Sequence, residues 1–326
     1  MKKLTLLTIM TLLLTGCFWD DDEDINEKSA VITQTPTNLG ALNTKFDDYN
    51  SNWEPEGERG GRIIFSSNRN SHGENFDLVY ANLYFIEDST SGNLSCEVQS
   101  YEIPYNFEVA FRNINSDKNE LGPYYIATEG NLLFMYSTES SSGYDIKFMD
   151  MTGWYYEQWE NYDSIPKSIP KINEYADDLY PTLTANKNNL IFCSNKNDGI
   201  FNIYDASFNS VITSEALVSG NINSITKIES LSSTGDDKCP FIGEDNMIVF
   251  ASNREGGYGG YDLWYSFYIN GAWTEPENFG SEINSSKDEF RPITFDVLGH
   301  NLMIFSSNRS GGKGGFDLYA VEYDTY

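Results

Sequence analysis

Cysteine, histidine and basic residues are scarce in this chain of 326 residues. It has four cysteines and two histidines, and His72 and His300 stand in polar segments apart from any cysteine or cluster of acids. No C-x-x-C spacing occurs, so neither a zinc site nor a disulfide framework is predicted. The chain has 21 lysines and arginines against 49 acids, a formal net charge of −28. We therefore expect no nucleic-acid partner, because phosphate binding needs a basic face.

Long apolar runs are confined to the N-terminus. The largely apolar segment Leu4–Leu14 follows Lys2 and Lys3; it has the length of a signal-peptide core and is too short to span a bilayer. It leads into Leu-Thr-Gly-Cys, ending at Cys17, which resembles the lipobox of bacterial lipoproteins. That resemblance implies that residues 1–16 are a signal peptide and that acyl chains on Cys17 anchor the protein in a lipid bilayer. The alternative is an ordinary signal peptide with an unmodified cysteine.

Five consecutive acids follow the cysteine, at residues 20–24. Such a run is typical of a solvated, disordered tether, which we place at residues 17–32. Its position also resembles the lipoprotein export signal of Bacteroidota, which implies the outer face of the outer membrane; the periplasmic face is the alternative. Residues 1–16 contain two lysines and no acid, so their removal takes the formal charge from −28 to −30.

A phrase related to "FSSNR" occurs five times. The copies are IIFSSNR at 63–69, LFMYSTE at 133–139, LIFCSNK at 190–196, IVFASNR at 248–254 and MIFSSNR at 303–309. Each copy is followed, after a short polar or glycine-rich gap, by an aromatic residue, an acid or amide, and an apolar residue, as in Phe316-Asp317-Leu318. The spacing between copies is 70, 57, 58 and 55 residues, which leaves no gap large enough for another copy.

An acidic turn precedes each copy. Its fullest form is I-N-x3-D-E-x2-P at residues 283–292, and the first turn has Ser51 in place of the proline. The acids that recur at this position are Asp47, Asp48, Glu120, Asp177, Asp178, Asp236, Asp237, Asp288 and Glu289. The first turn supplies the front of a unit whose other strands follow it, so the chain starts inside the repeat.

Each repeat is predicted to contain four short strands separated by turns, which is typical of a propeller blade. We predict an all-β protein: one β-propeller of five four-stranded blades over residues 33–326, with six blades as the alternative. Pairing of the N-terminal and C-terminal strands would close the ring and remove free sheet edges.

The last unit, "DEFRP" followed by "LMIFSSNRSGGKGGFDLY", resembles the WD40-like PD40 repeat of TolB-type β-propellers, and its glycine-rich form is similar to repeats in envelope lipoproteins of Bacteroidota. The resemblance covers all five units, most strongly the last two. Two features depart from the family: the usual Ser-Pro-Asp-Gly turn is replaced in every unit, and the TolB propeller has six blades. The resemblance implies the fold and leaves the partner open.

The glycine-rich phrase lacks the Gly-Lys-Ser/Thr ending and the helix of a phosphate-binding loop. We interpret its glycines as positive-φ residues of a tight connection between strands. Within their blades, Arg254 is expected to pair with Asp262, and Arg309 with Asp317.

The acidic turns are the candidate site. Five blades would place these acids around one mouth of the central channel, where a ring of negative potential suits a cation such as calcium or a basic protein segment. The alternative is that one acid of each pair caps its own turn by accepting backbone N–H groups. Beyond such a channel cation, no cofactor is expected.

Three function classes follow. We expect a non-catalytic, lipid-anchored binding module that recognises an envelope protein, because the acids repeat at one blade position and no G-x-S-x-G motif occurs. A surface glycan-binding protein is the second class, since the chain has six tryptophans and 22 tyrosines. Their densest cluster is at residues 153–162, within which residues 154–159 are predicted to form an outer strand of the second blade. A propeller glycoside hydrolase, which would use paired carboxylates, is the third.

Overall fold

Five antiparallel sheets stand around a central axis in the computed structural model, which describes residues 29–141, 143–155, 165–174, 176–243 and 246–324. The predicted signal peptide, Cys17 and most of the predicted tether lie outside the described residues. None of the helices within these ranges is long and apolar enough to cross a membrane. The five-bladed, all-β propeller predicted from the repeats is confirmed.

The strands of each blade follow one another from the axis outward, and only the outer edge varies. Blade 1 contains β3 (Asp48–Glu56), β4 (Gly60–Ser67), β5 (Asp77–Glu87), β6 (Leu94–Ser100) and, at its outer edge, β1 (Ser29–Ile32). Blade 2 contains β7 (Glu120–Thr128), β8 (Asn131–Ser140), β9 (Gly143–Asp150) and β10 (Lys167–Ser168). Blade 3 contains β11 (Asp178–Leu183), β12 (Asn189–Ser194), β13 (Asn202–Phe208) and β14 (Ile222–Lys227).

Blade 4 contains β15 (Asp237–Ile242), β16 (Met247–Ser252) and β17 (Asp262–Ile269), with β18 (Ala272–Trp273) and β19 (Glu277–Asn278) both paired to β17. Blade 5 contains β20 (Glu289–Val297), β21 (His300–Ser307) and β22 (Asp317–Glu322), and its outer strand is β2 (Thr37–Asn38). Strand β2 therefore comes from the N-terminal end of the described chain and pairs with β22 through Thr37↔Ala320 and Asn38↔Tyr319. This pairing confirms the predicted closure of the ring.

The repeated apolar phrase forms the second strand of every blade. The third residue of the phrase is fully buried in each case: Phe65, Met135, Phe192, Phe250 and Phe305. The burial follows because stacked blades cover both faces of these strands, which single blades could not do. The cysteines Cys96, Cys193 and Cys239 are free and buried.

The innermost strands share a β-bulge two residues after the second acid of each turn. The bulged residues have positive φ: Asn50, Gly122, Tyr180, Cys239 and Arg291. In four blades the next residue is the proline of the repeat. A bulge adds one residue to a strand and increases its local twist, and the pairing registers shift at this point in every blade.

Three short α-helices occur among the described residues. Helix α1 (Tyr105–Ile114) buries Phe107, Ala110 and Phe111 in an apolar cluster that contains residues of blades 1 and 2. Helix α2 (Thr152–Tyr155) occupies the start of the aromatic segment that we expected to be a strand, so that part of the prediction is wrong; residues 156–164 lie outside the described residues. Helix α3 (Ser214–Ser219) begins at Thr213, whose side chain accepts the Ala216 N–H.

Candidate functional site

The first residue of each acidic pair joins its blade to the preceding blade. Asp47 accepts the backbone N–H of Phe316 at 2.7 Å, and Asp288 accepts that of Tyr261 at 3.0 Å. Asn119, Asp177 and Asp236 make the same contact with Phe76, Tyr144 and Phe201. These side chains therefore serve the assembly of the ring.

The second acid of each pair is buried at the start of the innermost strand. In three blades it forms an ion pair with the arginine of the "SSNR" phrase: Asp48 with Arg69, Asp237 with Arg254 at 2.6 Å, and Glu289 with Arg309 at 3.0 Å. The same carboxylates accept the preceding serine hydroxyl. The expected pairing of Arg254 and Arg309 with Asp262 and Asp317 is therefore wrong.

Asp262 and Asp317 instead accept backbone N–H groups of the glycine-rich loops, from residues 258 and 259 and from residues 313 and 314. Only Gly256 and Gly311 in these loops have positive φ. The others are needed because of close approach: a Cβ on Gly314 would overlap the carbonyl oxygen of Phe46. The loops are connections between strands, as predicted, but positive φ accounts for one glycine in each.

Blades 2 and 3 lack the arginine. Glu139 replaces it in blade 2 and Lys196 in blade 3. Burial raises the pKa of Glu120 to about 7, against the hydrogen bonds from Ser116 and Thr138 that lower it. Burial likewise raises the pKa of Asp178 to about 7, and neither of its oxygens has a well-formed hydrogen bond.

The acidic turns thus lie around one mouth of the channel with most of their carboxylates engaged by internal donors. Within the described ranges, no group of three or more His, Cys, Asp or Glu residues is arranged to hold a metal ion. Binding of a cation or a basic segment by this ring stays a prediction.

A cavity of about 820 Å³ opens at the opposite end of the innermost strands. These strands begin at the acidic turns, and their far ends from all five blades form the cavity walls. The described residues that line it include Asn52, Trp53, Glu54, Arg62, Tyr124, Tyr125, Thr184, Lys187, Phe241, Thr294, Phe295 and Asp296. Helix α1 contributes Phe107.

Aromatic rings form one side of the cavity. Trp53 of blade 1 and Phe295 of blade 5 stack with ring centroids 4.9 Å apart and an interplanar angle of 22°. Phe85 supports both rings from behind at 5.6 and 6.1 Å. Tyr125 packs against Phe107 at 5.4 Å on the blade 2 side. The half-buried faces offer a flat apolar surface beside polar groups, as ligand pockets commonly do.

Two carboxylates stand in the same walls. Glu54 follows Trp53, and its Oε2 lies 3.0 Å from the Arg62 Nη1; the other end of this guanidinium holds Glu56 at 2.8 Å. Burial raises the pKa of Glu54, and Arg62 opposes that rise. Asp296 follows Phe295 on the neighbouring blade and accepts the Gly299 N–H at 3.3 Å. Two carboxyl groups in one cavity, one of them with a raised pKa, are the residue types that general acid and base chemistry uses.

The centre of the propeller beneath this cavity is filled. Arg291 of blade 5 is fully buried and donates to the carbonyl oxygens of Pro240 at 3.0 Å and Pro123 at 3.2 Å. Its guanidinium lies 5.7 Å from the ring centroid of Tyr180. One side chain thus contacts three other blades at the axis.

Sequence reasoning missed this cavity. The predicted site residues repeat at one blade position, whereas the cavity residues occupy a stretch where the sequences of the blades differ. The positions two residues after the bulge hold Asn52, Tyr124, Thr182, Phe241 and Ile293. Divergence at the exits of the innermost strands was the available signal.

No protein-family model and no curated protein matches the sequence. Among solved structures, the chain is similar to a protein described as a glycoside hydrolase, at 8% identity and a TM-score of 0.58, over 91% of this chain and 93% of that chain. It is similar to the endo-arabinase from Bacteroides thetaiotaomicron at 12% identity and a TM-score of 0.50, over 90% and 98%. TolB from Acinetobacter baumannii is a further structural neighbour, at 12% identity and a TM-score of 0.42, over 91% and 64%.

Glycoside hydrolases predominate among these similar structures. This finding contradicts the prediction of a protein that is not an enzyme. TolB-like propellers are among the neighbours, as the resemblance implied; the assignment as an envelope lipoprotein stays a prediction. Identities of 8% and 12% show the fold alone.

Proposed function

We propose that the protein is a glycoside hydrolase whose active site is the cavity at the exits of the innermost strands. The observation that carries the proposal is that Glu54 and Asp296, on adjacent blades, line the same cavity as the stacked rings of Trp53 and Phe295. Glycosidic bond cleavage uses two carboxyl groups that flank the bond. The cavity, about 820 Å³ in volume, falls in the size range of small-ligand sites.

Glu54 has the environment of the acid. Its raised pKa follows from burial, and a general acid must hold its proton near the working pH to protonate the leaving oxygen. Arg62 fixes the carboxyl group through Oε2. Asp296 then supplies the second carboxylate, which either attacks the sugar or activates a water molecule.

The aromatic pair orients the substrate. A sugar ring has an apolar face, and burial of that face against Trp53 and Phe295 releases water from both surfaces. Asn52 and Lys187 also line the cavity and are available to bind hydroxyl groups. Arabinan and arabinoxylan are the first substrates to test, because the neighbours include an endo-arabinase and an α-L-arabinofuranosidase.

The proposal places the enzyme outside the cell, held at the outer membrane through acylated Cys17. The N-terminal run, the lipobox-like ending and the acids at 20–24 support this location. Labelling with radioactive palmitate is expected for the wild-type protein and not for Cys17→Ser. Protease added to intact cells is expected to digest the protein; digestion only after lysis would contradict the outward orientation.

The test of activity is release of reducing ends from a panel of plant and bacterial polysaccharides. Glu54→Gln and Asp296→Asn are expected to lower kcat by at least about a hundredfold, since general acid–base catalysis contributes roughly 10² to 10⁴. Glu56→Gln is the matched control, because Glu56 is exposed and contacts the same Arg62; it is expected to retain activity. Circular dichroism and thermal melting establish that each variant is folded.

Three outcomes would contradict the proposal. Wild-type protein that binds a glycan without releasing product would be a glycan-binding protein. Product release unaffected by both substitutions would place the site elsewhere. An equal loss of activity in Glu56→Gln would show that the charge around Arg62, and not the carboxyl at position 54, is what matters.

A further inference from the structure

A cation without an acidic partner lies directly beneath the cavity. No carboxylate among the described residues pairs with Arg291, and its Nε has no hydrogen-bond partner. The two carbonyl groups that it holds belong to Pro123 and Pro240, the residues immediately before Tyr124 and Phe241, which line the cavity. Arginine keeps its charge at neutral pH even when buried. A buried charge without a partner is costly, so this position needs a reason.

Unpartnered hydroxyl groups lie at the same level of the channel. Thr294 lines the cavity, is 5% exposed, and its Oγ1 has no partner. Ser51, next to the lining residue Asn52, is 0% exposed and its Oγ is also unpartnered. Ser51 follows the bulged residue Asn50 of blade 1, and Thr294 follows the bulged residue Arg291 of the adjacent blade 5. Buried polar atoms usually find a partner, so the Thr294 Oγ1, left free where the residue lines the cavity, indicates a ligand.

The carboxyl groups of the cavity wall lie farther from the bulges than the floor residues do. Along β3 and β20, the carboxylates at Glu54 and Asp296 come two residues farther from the bulge than Asn52 and Thr294. Glu54 is also compensated by Arg62. The positive charge of Arg291 and the Thr294 hydroxyl therefore lie on the floor side of the cavity, and the carboxyl groups of Glu54 and Asp296 lie nearer its mouth.

We infer that the cavity floor selects an acidic sugar, with the carboxylate of a uronic acid residue facing the Thr294 hydroxyl, on the cavity side of the Arg291 guanidinium. This inference rests on the proposed function for the glycan, and it names the substrate class. A unit charge within roughly 12 Å of the ligand carboxylate, at an effective dielectric constant of about 20, favours the acid over its neutral ester by about tenfold or more.

The test measures binding, so it is independent of cleavage. Oligosaccharides of galacturonate, glucuronate and mannuronate are each compared with their methyl esters by isothermal titration calorimetry. At least one acid is expected to bind about tenfold more tightly than its ester. Arg291→Met is expected to bring that ratio close to one, and Arg291→Lys to retain part of it.

Arg291 contacts three other blades, so the stability of its variants must be checked by thermal melting. Thr294→Val tests the same part of the cavity without removing these contacts. Loss of a hydrogen bond to a charged group is expected to lower affinity for the acid by about tenfold and leave the ester unchanged. The matched control is Thr184→Val, on the same cavity wall, whose hydroxyl already bonds Asn186 at 2.7 Å.

The outcomes separate the two proposals. Equal affinity for every acid and its ester, binding of neutral glycans alone, or no binding of any acid would overturn the inference, as would a Thr294→Val protein with an unchanged preference. Cleavage of neutral arabinan without a preference for acidic sugars would contradict only the inferred selectivity for acidic sugars. A preference for acidic sugars without cleavage of any glycan would contradict only the proposed hydrolase activity.

Discussion

Replacement of Lys196 by arginine should stabilise the propeller. In blades 1, 4 and 5, an arginine at this position donates to the buried acid and to a backbone carbonyl of the acidic turn. In blade 3 the shorter Lys196 ammonium lies over the rings of Phe192 and Tyr204, 4.9 and 4.3 Å from their centroids. Asp178 is left without a well-formed hydrogen bond. Lys196→Arg supplies the missing guanidinium.

The magnitude and its pH dependence follow from Asp178. Its pKa is raised from 3.8 to about 7 in the folded protein, so the folded state holds the proton more tightly than the unfolded state does. The stability that this proton provides is present below about pH 4 and is lost as pH rises through 7, a loss on the order of 3 to 4 kcal/mol. A guanidinium partner lowers the folded-state pKa and restores about 2 to 3 kcal/mol above pH 7.

Urea unfolding at pH 5 and pH 8 measures this effect. We expect Lys196→Arg to raise the free energy of unfolding at pH 8 by about 2 kcal/mol and to change it less at pH 5, where Asp178 is protonated. The control is Lys227→Arg, since Lys227 pairs with the exposed Glu229; it should change stability by less than about 0.5 kcal/mol. An equal gain at both pH values, or no gain at pH 8, would refute the reasoning.

Three further substitutions test the fold and the cavity by thermal melting and calorimetry. Asn43→Ala removes a buried pair of hydrogen bonds to the Leu318 backbone, at 2.9 and 2.8 Å, that helps to close the ring; it should cost about 3 kcal/mol, and a loss below about 1 kcal/mol would argue against a closed ring. Gly314→Ala should destabilise strongly because its Cβ would overlap a carbonyl oxygen of the blade 1 acidic turn; an unchanged melting temperature would exclude this packing. Trp53→Ala should lower glycan affinity by about tenfold or more through loss of the stacked face, and unchanged affinity would remove the aromatic pair from the binding site.

The architecture was predictable because all five blades repeat the same sequence pattern of strands and turns. Each copy of the buried second strand must be covered by neighbouring blades, so the number of copies gives the number of blades. The first acidic turn, separated from the last "FDLY" segment by almost the whole chain, also indicated how the ring closes. Helices α1 and α2 were not predicted, because the outer edges of blades 1 and 2 face few neighbours and carry no repeated pattern.

The candidate site was harder to predict for the same reason. Repetition led to the acidic turns, where five equivalent positions carry acids because each blade needs the same internal bonds. An asymmetric ligand needs positions that differ between blades, and no other unit has an acid at the position of Glu54 or a serine or threonine at the position of Thr294. Their closeness depends on the bulges and on the meeting of blades 1 and 5, which no local pattern in the sequence reveals.

The most direct test of the account is a crystal structure of Glu54→Gln with an oligosaccharide bound. The substitution keeps the shape of the cavity while removing the proposed acid, so an uncleaved substrate should accumulate. We expect a sugar ring against Trp53 and Phe295, with a glycosidic oxygen within hydrogen-bond distance of the new amide and Asp296 across the ring. An oligosaccharide bound at the acidic turns, or anywhere outside the cavity, would contradict the assignment of the cavity as the active site.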